Sequence, residues 1–290
     1  MHDMFRQLGA GSFAAISVDD ARGSVVVKQV HDWRDGDKLR AEHALLERAY
    51  VRCLDEPAPL FALPRPLGAD DGERESERFR GTGLGPRALY AMSRVWPLPP
   101  AFAARVRRGH FPPPHGDDDR QPVPPAPFIA RLYLGRERAP GRAKAFYNAA
   151  NFPLDAAAVR ALFGPEPAAA VARGIGDMLG RLNFLAETDA RDVEFVACGS
   201  ETDPWRPEPG FACIDFNQCR PLDLADVEGA AAAVVSAVRA NDPYFPLQPS
   251  AEWDAFSEGY AAAARLPGAA GSAPRVADAV LSQLKHGAGS

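Results

Sequence analysis

The chain has only four cysteines, Cys53, Cys198, Cys213 and Cys219, and none stands in Cys-x-x-Cys spacing with another. That excludes a zinc knuckle and a dense disulfide framework, and it leaves reduced, buried thiols as the expectation. Nowhere does a run approach the ~20 apolar residues of a membrane span. The first six residues include Asp3 and Arg6 and no apolar leader core, so a cytoplasmic location without a membrane partner is expected. Positive charge is in deficit, with a net charge of −5 and a pI near 5.7. Non-specific binding to DNA by the whole surface is thereby excluded, and only a local basic patch could meet a nucleic acid. No internal repeat of fixed period occurs, and neither His-Arg-Asp nor His-Gly-Asp is present.

What the chain does have is 290 residues with 46% hydrophobic content, enough for a substantial core. Leu8-Gly9-Ala10-Gly11-Ser12-Phe13 falls between two expected strands at 4–9 and 13–18. Glycines there would let backbone N–H groups approach phosphate. A β-branched strand over 24–30 carries Lys28. Leu39, Ala41, Leu45, Leu46 and Tyr50 then recur at helical intervals over 37–52, which places Glu42 inside a helix with Asp37 as its expected N-cap. Much later, Ile214-Asp215-Phe216 ends an apolar strand on a carboxylate that needs a partner.

Each of these features has a plain alternative: a hairpin turn, a solvated strand lysine, a surface helix charge, a turn carboxylate. Their order is more specific. A glycine turn, a strand Lys, a helix Glu to pair with it and a strand-end Asp for magnesium follow one another as in protein kinases. The expected fold is therefore α+β, protein-kinase-like and two-lobed. Residues 1–96 would form a small β-rich N-lobe and 97–290 a larger, mainly helical C-lobe.

Within the second part, residues 97–127 hold Pro112-Pro113-Pro114 and Asp117-Asp118-Asp119, a composition read as an exposed insertion unable to sustain helix. A strand is expected over 127–134, followed by a basic stretch with Arg136, Arg138, Arg142 and Lys144. Helices are expected at 155–162, 167–186, 224–239, 252–265 and 276–284, and strands at 193–196 and 211–214. The acids Asp189, Asp192 and Glu194 lie between a helix and a strand, where a kinase keeps its base and a magnesium ligand. Asp192 falls about where the ligand would be, whereas Asp189 is too few residues upstream for the base. A solvated acidic loop is the plain alternative.

Several strings together resemble a known family. They are Arg131-Leu132-Tyr133-Leu134-Gly135-Arg136, Asn151-Phe152-Pro153-Leu154, Asp189-Ala190-Arg191-Asp192-Val193-Glu194-Phe195-Val196, Ile214-Asp215-Phe216-Asn217-Gln218-Cys219-Arg220-Pro221 and Asn241-Asp242-Pro243-Tyr244-Phe245-Pro246. The family is a fungal, kinase-like domain of unknown function that often carries a zinc-finger-protein label, and the resemblance runs from about Leu8 to Tyr260. It implies membership alongside arginine-containing cyclodipeptide synthases of fungal secondary metabolism. The family pattern has a His-Trp pair where this chain has Asn183-Phe184, and a further acid near Asn217.

The resemblance implies a tRNA-dependent cyclodipeptide synthase, an aminoacyltransferase that joins arginine from arginyl-tRNA with a second amino acid into a diketopiperazine, with no metal and no cofactor. Asp192, Glu194 and Asp215 would be catalytic and would grip the arginine side chain, since a guanidinium calls for paired carboxylates. Gly9, Gly11, Ser12, Lys28, Glu42 and Asn217 would bind substrate. Arg131, Arg136, Arg138, Arg142 and Lys144, with Phe146 and Tyr147, would meet the tRNA acceptor end. The expected partners are then aminoacyl-tRNA and small amino-acid substrates. The motif order alone supports a different reading, an ATP- and magnesium-dependent small-molecule phosphotransferase of the aminoglycoside or choline kinase kind, with Asp192 and Asp215 holding the metal. A catalytically inert binding module is the third.

Overall fold

The computed structural model describes residues 5–19, 23–55, 57–70, 87–110, 127–137, 151–200, 206–246 and 248–286. These residues form nine strands and seven α-helices, an α+β architecture with two separate sheets. Among them, no helix is long and apolar enough to cross a membrane.

The first sheet is antiparallel, in the order β1 (Phe5–Ala10), β2 (Ala14–Asp19), β3 (Val25–Val30), β5 (Leu89–Ser93) and β4 (Pro66–Asp70). Val26, Val27 and Val30 on β3 are buried, as expected of β-branched residues in a central strand. After β3 comes α1 (Gly36–Cys53), which buries Leu39, Leu45, Leu46, Ala49 and Cys53 against the sheet side of the core. Asp37 does not cap this helix. It lies in the first turn, behind Asp35, where a carboxylate still favours the helix dipole.

The second sheet runs β7 (Asn151–Asp155), β6 (Ile129–Tyr133), β8 (Glu194–Cys198) and β9 (Gly210–Ile214), with β6 and β7 parallel and the other pairs antiparallel. Its helices are α3 (Ala156–Phe163), α4 (Pro165–Phe184), α5 (Val227–Ala240), α6 (Ala251–Ala263) and α7 (Ala273–His286). The tightest helix pair is α4 with α6. A Cβ added at Gly176 would overlap the Phe256 carbonyl oxygen, and one at Gly259 would overlap that of Arg173, so the two backbones touch where side chains are missing.

One helix departs from the sequence reading, and two strands lie where it named no element. Residues 97–127 include α2 (Pro100–His110), which buries Phe102, Ala103 and Val106. Pro100 opens this helix instead of forbidding it, because the first helical residue needs no N–H partner and proline's fixed φ suits it. Strand β7 contains Pro153 and survives because it is an edge strand, where a missing N–H costs no ladder bond. Strand β4 likewise lies where the sequence reading named no element.

Two connecting segments fasten the sheets to each other. Ala62 N–H donates to the Phe211 carbonyl at 3.0 Å, and Cys213 N–H donates to the Ala62 carbonyl at 2.9 Å. Gly199 N–H donates to the Trp96 carbonyl at 2.8 Å. The end of β9, and with it Asp215, is thereby fixed relative to β3 and α1.

Candidate functional site

Lys28 sits on β3 between Ile16 of β2 and Tyr90 of β5, and its side chain is buried. Its ammonium group donates to Glu42 Oε1 at 2.6 Å and to Asp215 Oδ1 at 2.9 Å. The Phe13 ring lies below it, 5.6 Å from ring centre to Nζ. Burial alone would lower the Lys28 pKa, but Glu42 and Asp215 outweigh burial and hold the ammonium charged. Burial raises Glu42 above the usual carboxylate range, and Lys28 draws it partly back.

Glu42 Oε1 collects three donors: Lys28 Nζ, the Tyr90 hydroxyl at 3.1 Å and the Phe216 amide at 3.3 Å. Its second oxygen, Oε2, is buried and has no partner among the described residues. Asp215 adopts a left-handed backbone, φ 63°, as does Asp192, φ 64°. Such strain at a non-glycine residue persists only where the surroundings enforce it, and it concentrates at functional sites.

Asp192 accepts from Gln218 Nε2 at 2.6 Å, and its own amide donates to Asn241 Oδ1 at 2.6 Å. Burial, then Asp215, then Asp242 raise its pKa, so Asp192 and Asp215 sense one another's charge. Glu194 does not join them in hydrogen bonding. It is engaged by Arg131 through both Nε and Nη2, and Arg131 also contacts Asp242 at 3.1 Å. The three acids expected to converge therefore resolve into two near one another and a third held by the protein's own guanidinium.

The glycine hairpin is present. Gly9 pairs with Ile16 across a bulge, Gly11 N–H donates to the Ala14 carbonyl at 3.0 Å, and the Gly11 carbonyl contacts His31 Nε2 at 2.9 Å. A Cβ at either Gly9 or Gly11 would meet nothing within 4 Å. Next to this hairpin a cavity of about 400 Å³ is lined by Ser12, Phe13, Lys38, Asn217, Gln218 and Arg220. Asn217 Oδ1 is buried there with no partner among the described residues.

Of the basic residues assigned to tRNA, Arg131 is committed to Glu194 and Asp242, and Arg136 is exposed over the Tyr133 ring. Arg138, Arg142 and Lys144, with Phe146 and Tyr147, lie outside the described residues.

Asp189 is a loop fastener. It is 2% exposed, and one of its oxygens accepts from the Arg191 amide at 3.0 Å and the Arg220 amide at 2.8 Å. Sequence reasoning assigned no role to Tyr90, Gln218, Asn241, Asp242 or Tyr244. The signals available were the resembling strings: one holds Gln218, and the other, Asn241-Asp242-Pro243-Tyr244-Phe245-Pro246, begins with a residue that pins the Asp192 loop through both ends of its amide.

A family model described as "zinc finger protein", DUF3669, matches residues 213–266. No curated protein matches the chain. These findings correct the expected resemblance. The match covers a minor part of the chain instead of Leu8 to Tyr260, and its description refers to neither kinase-like domains nor cyclodipeptide synthases. Zinc does not fit the residues either: among those described, no group of three or more His, Cys, Asp or Glu could hold a metal ion. Cys213 and Cys219, the two cysteines in the matched segment, are thiols whose pKa burial pushes far up, whereas zinc takes thiolates.

Proposed function

We propose that the crevice at Lys28 and Asp215 binds the phosphates of ATP with magnesium, and that the protein is a small-molecule phosphotransferase on a two-lobed, kinase-like arrangement. One observation carries this reading: a single ammonium group bridges a helix carboxylate and a strand-end carboxylate. Glu42 fixes the direction of Lys28, and a lysine so held presents a point charge to phosphate oxygens. The open space above Gly9 and Gly11 suits backbone contact with phosphate, since neither left-handed backbone nor packing demands glycine there.

Asp215 and Asp192 are the residues that would hold magnesium. Magnesium is bound by one or two carboxylates, with waters and substrate phosphates completing its shell, so two acids are a sufficient donor set. The raised pKa of Asp192 reflects burial and like-charge repulsion that a cation would relieve. When bound, magnesium would neutralise charge on the transferring phosphoryl group. Lys38 and Arg220, on the cavity wall, add positive charge on the side where phosphates would enter.

The test is thermal unfolding with and without ATP and magnesium. A ligand at 100 times its Kd stabilises by about 2.7 kcal/mol, a shift of several degrees. Lys28→Ala and Asp215→Asn are expected to abolish it. No shift in the wild-type protein would end the reading.

A second reading is favoured by Asp189, whose carboxylate is spent on two backbone amides and so is no free base to accept the hydroxyl proton that phosphotransfer releases. The same crevice would then receive the aminoacyl-adenosine end of a charged tRNA for cyclodipeptide formation, which needs positioning and oxyanion stabilisation and no triphosphate. Incubation with arginyl-tRNA and other charged tRNAs, read by mass spectrometry, distinguishes the two. Absence of a cyclic arginine dipeptide with every partner would dismiss it.

A further inference from the structure

We propose that the cavity at the seam between the two sheets, beside Trp96 and Arg206, is a binding site for a small aromatic carboxylate. It shares no lining residue with the cavity beside the glycine hairpin, includes neither Lys28 nor Asp215, and rests on no part of the phosphotransfer reading.

Size and lining come first. The cavity holds about 200 Å³, and both backbone fastenings of the sheets contribute to it, through Ala62 and through the paired Trp96 and Gly199. Much of the remaining wall is apolar, with Leu60, Leu63 and Phe211. Leu60 is 44% exposed, so a large apolar side chain meets water unless a guest covers it. A cavity of about 150 Å³ admits benzene. The space here therefore suits one ring carrying a small polar group, and little more.

Charge and hydrogen bonding then set the polar group. Arg94 and Arg206 both line the cavity, and among the described residues no carboxylate does. The Arg94 guanidinium lies over the Trp96 ring, 4.7 Å from its centre, and gives one N–H to the Gly23 carbonyl at 3.2 Å. Arg206 is exposed, and its approach to Glu208 at 3.7 Å is too long for a hydrogen bond. The indole Nε1 of Trp96 is buried and has no partner among the described residues. An indole N–H only donates, so what satisfies it is an acceptor. A buried donor is costly without one, and a guest that brings an acceptor relieves that cost.

A carboxylate fits better than a phosphate. One N–H and two guanidinium groups can replace the hydration of a compact monoanion, whereas a phosphate dianion needs more donors than a largely apolar wall supplies. An aromatic body fits better than an alkyl one, because Trp96 and Phe211 offer ring faces and edges to it and Arg94 already stacks on one of them.

The experiment titrates benzoate, benzyl alcohol and acetate into the full chain, read by ligand-observed NMR, and then adds ATP with magnesium to the benzoate sample. Benzoate is expected to bind, benzyl alcohol to bind about tenfold more weakly for want of the charge, and acetate, which lacks the ring, not to bind. Trp96→Phe keeps a ring beside Arg94 and removes the N–H, and it is expected to weaken benzoate about fivefold. Arg206→Gln changes an exposed side chain on which packing does not depend, so it remains a test even if Trp96→Phe fails to fold; it is expected to weaken benzoate about two- to fivefold. ATP with magnesium should leave benzoate bound. Absence of benzoate binding, equal binding of benzoate and benzyl alcohol, unchanged affinity in either folded variant, or displacement by ATP with magnesium overturns the proposal.

Discussion

Lys28 Nζ lies 2.9 Å from Asp215 Oδ1 across 187 residues of chain. The same ammonium group sits 2.6 Å from Glu42, whose side chain is 1% exposed against 34% for Asp215. One acid is thus a buried orienting partner and the other faces the opening. Glu42 Oε1 also accepts the Phe216 amide, so helix α1 grips the residue that follows Asp215 as well as the lysine that touches it. The lysine, the glutamate and the aspartate form one mechanical unit built from a strand, a helix and a strand end.

Removing the lysine should therefore cost more than an exposed ion pair would. Lys28→Ala leaves Glu42 buried beside Asp215 without a counter-charge, and loss of one partner of a buried pair costs about 3–5 kcal/mol. Lys28→Met with Glu42→Gln removes both charges and should lose clearly less than the two single changes added together, by a coupling of about 1–3 kcal/mol. Urea unfolding of the four proteins measures this. Additive losses would show that the pair is not coupled.

Asp192 gives a pH signature. Its folded-state pKa is raised above the usual 3.8, chiefly by burial and then by Asp215 and Asp242. The folded state therefore holds this proton more tightly than the unfolded chain, and that stability, complete below about 3.8, is lost as pH rises through the raised value. Asp192→Asn carries no such loss. It should be more stable than wild type at pH 7 relative to pH 3, by about 0.5 kcal/mol because the half-exposed group is screened. Asparagine also suits the left-handed backbone at this position, a gain that does not vary with pH. Thermal unfolding at the two pH values separates the contributions, and an identical advantage at both would refute the electrostatic part.

The elements carrying Lys28, Glu42 and Asp215 were legible in the sequence because each rests on a local pattern. β3 has its β-branched run, α1 its helical spacing and β9 its apolar stretch ending on a charge. What was not legible depends on contacts that no local pattern encodes. Glu194 was expected among the catalytic acids, and no local pattern says that Arg131 on the neighbouring strand meets it. Likewise, proline content hid α2, because whether a proline breaks a helix depends on its being first in it. The role of Asn241 comes from a loop folding back on the Asp192 segment, far away in sequence.

Asp189 tests whether an acid in this loop is chemical or architectural. Asp189→Ala leaves the Arg191 and Arg220 amides without their acceptor in a buried setting, at about 1–3 kcal/mol each. Asp189→Asn keeps one acceptor oxygen and should restore most of that stability. It should also retain whatever turnover the wild type shows. If Asp189→Asn folds normally yet loses turnover by orders of magnitude, Asp189 is a base after all.

Two glycines with opposite surroundings give the last contrast. Alanine at Gly176 would drive its methyl into the Phe256 carbonyl oxygen on α6, and backbone cannot step aside as a side chain can. Alanine is the better helix former by about 1 kcal/mol, but forced overpacking costs about 1–3 kcal/mol, and severe overlap with backbone puts Gly176→Ala at the upper end. The net effect should be destabilising, with α4 and α6 pushed apart. Gly11→Ala meets open space instead, so its stability should stay within about 0.5 kcal/mol of wild type. Any ligand that needs the hairpin backbone should nevertheless be displaced by the new methyl. The expected result is thus a stable Gly11→Ala protein with a diminished ATP–magnesium thermal shift, and an undiminished shift would mean that phosphate does not approach the hairpin there.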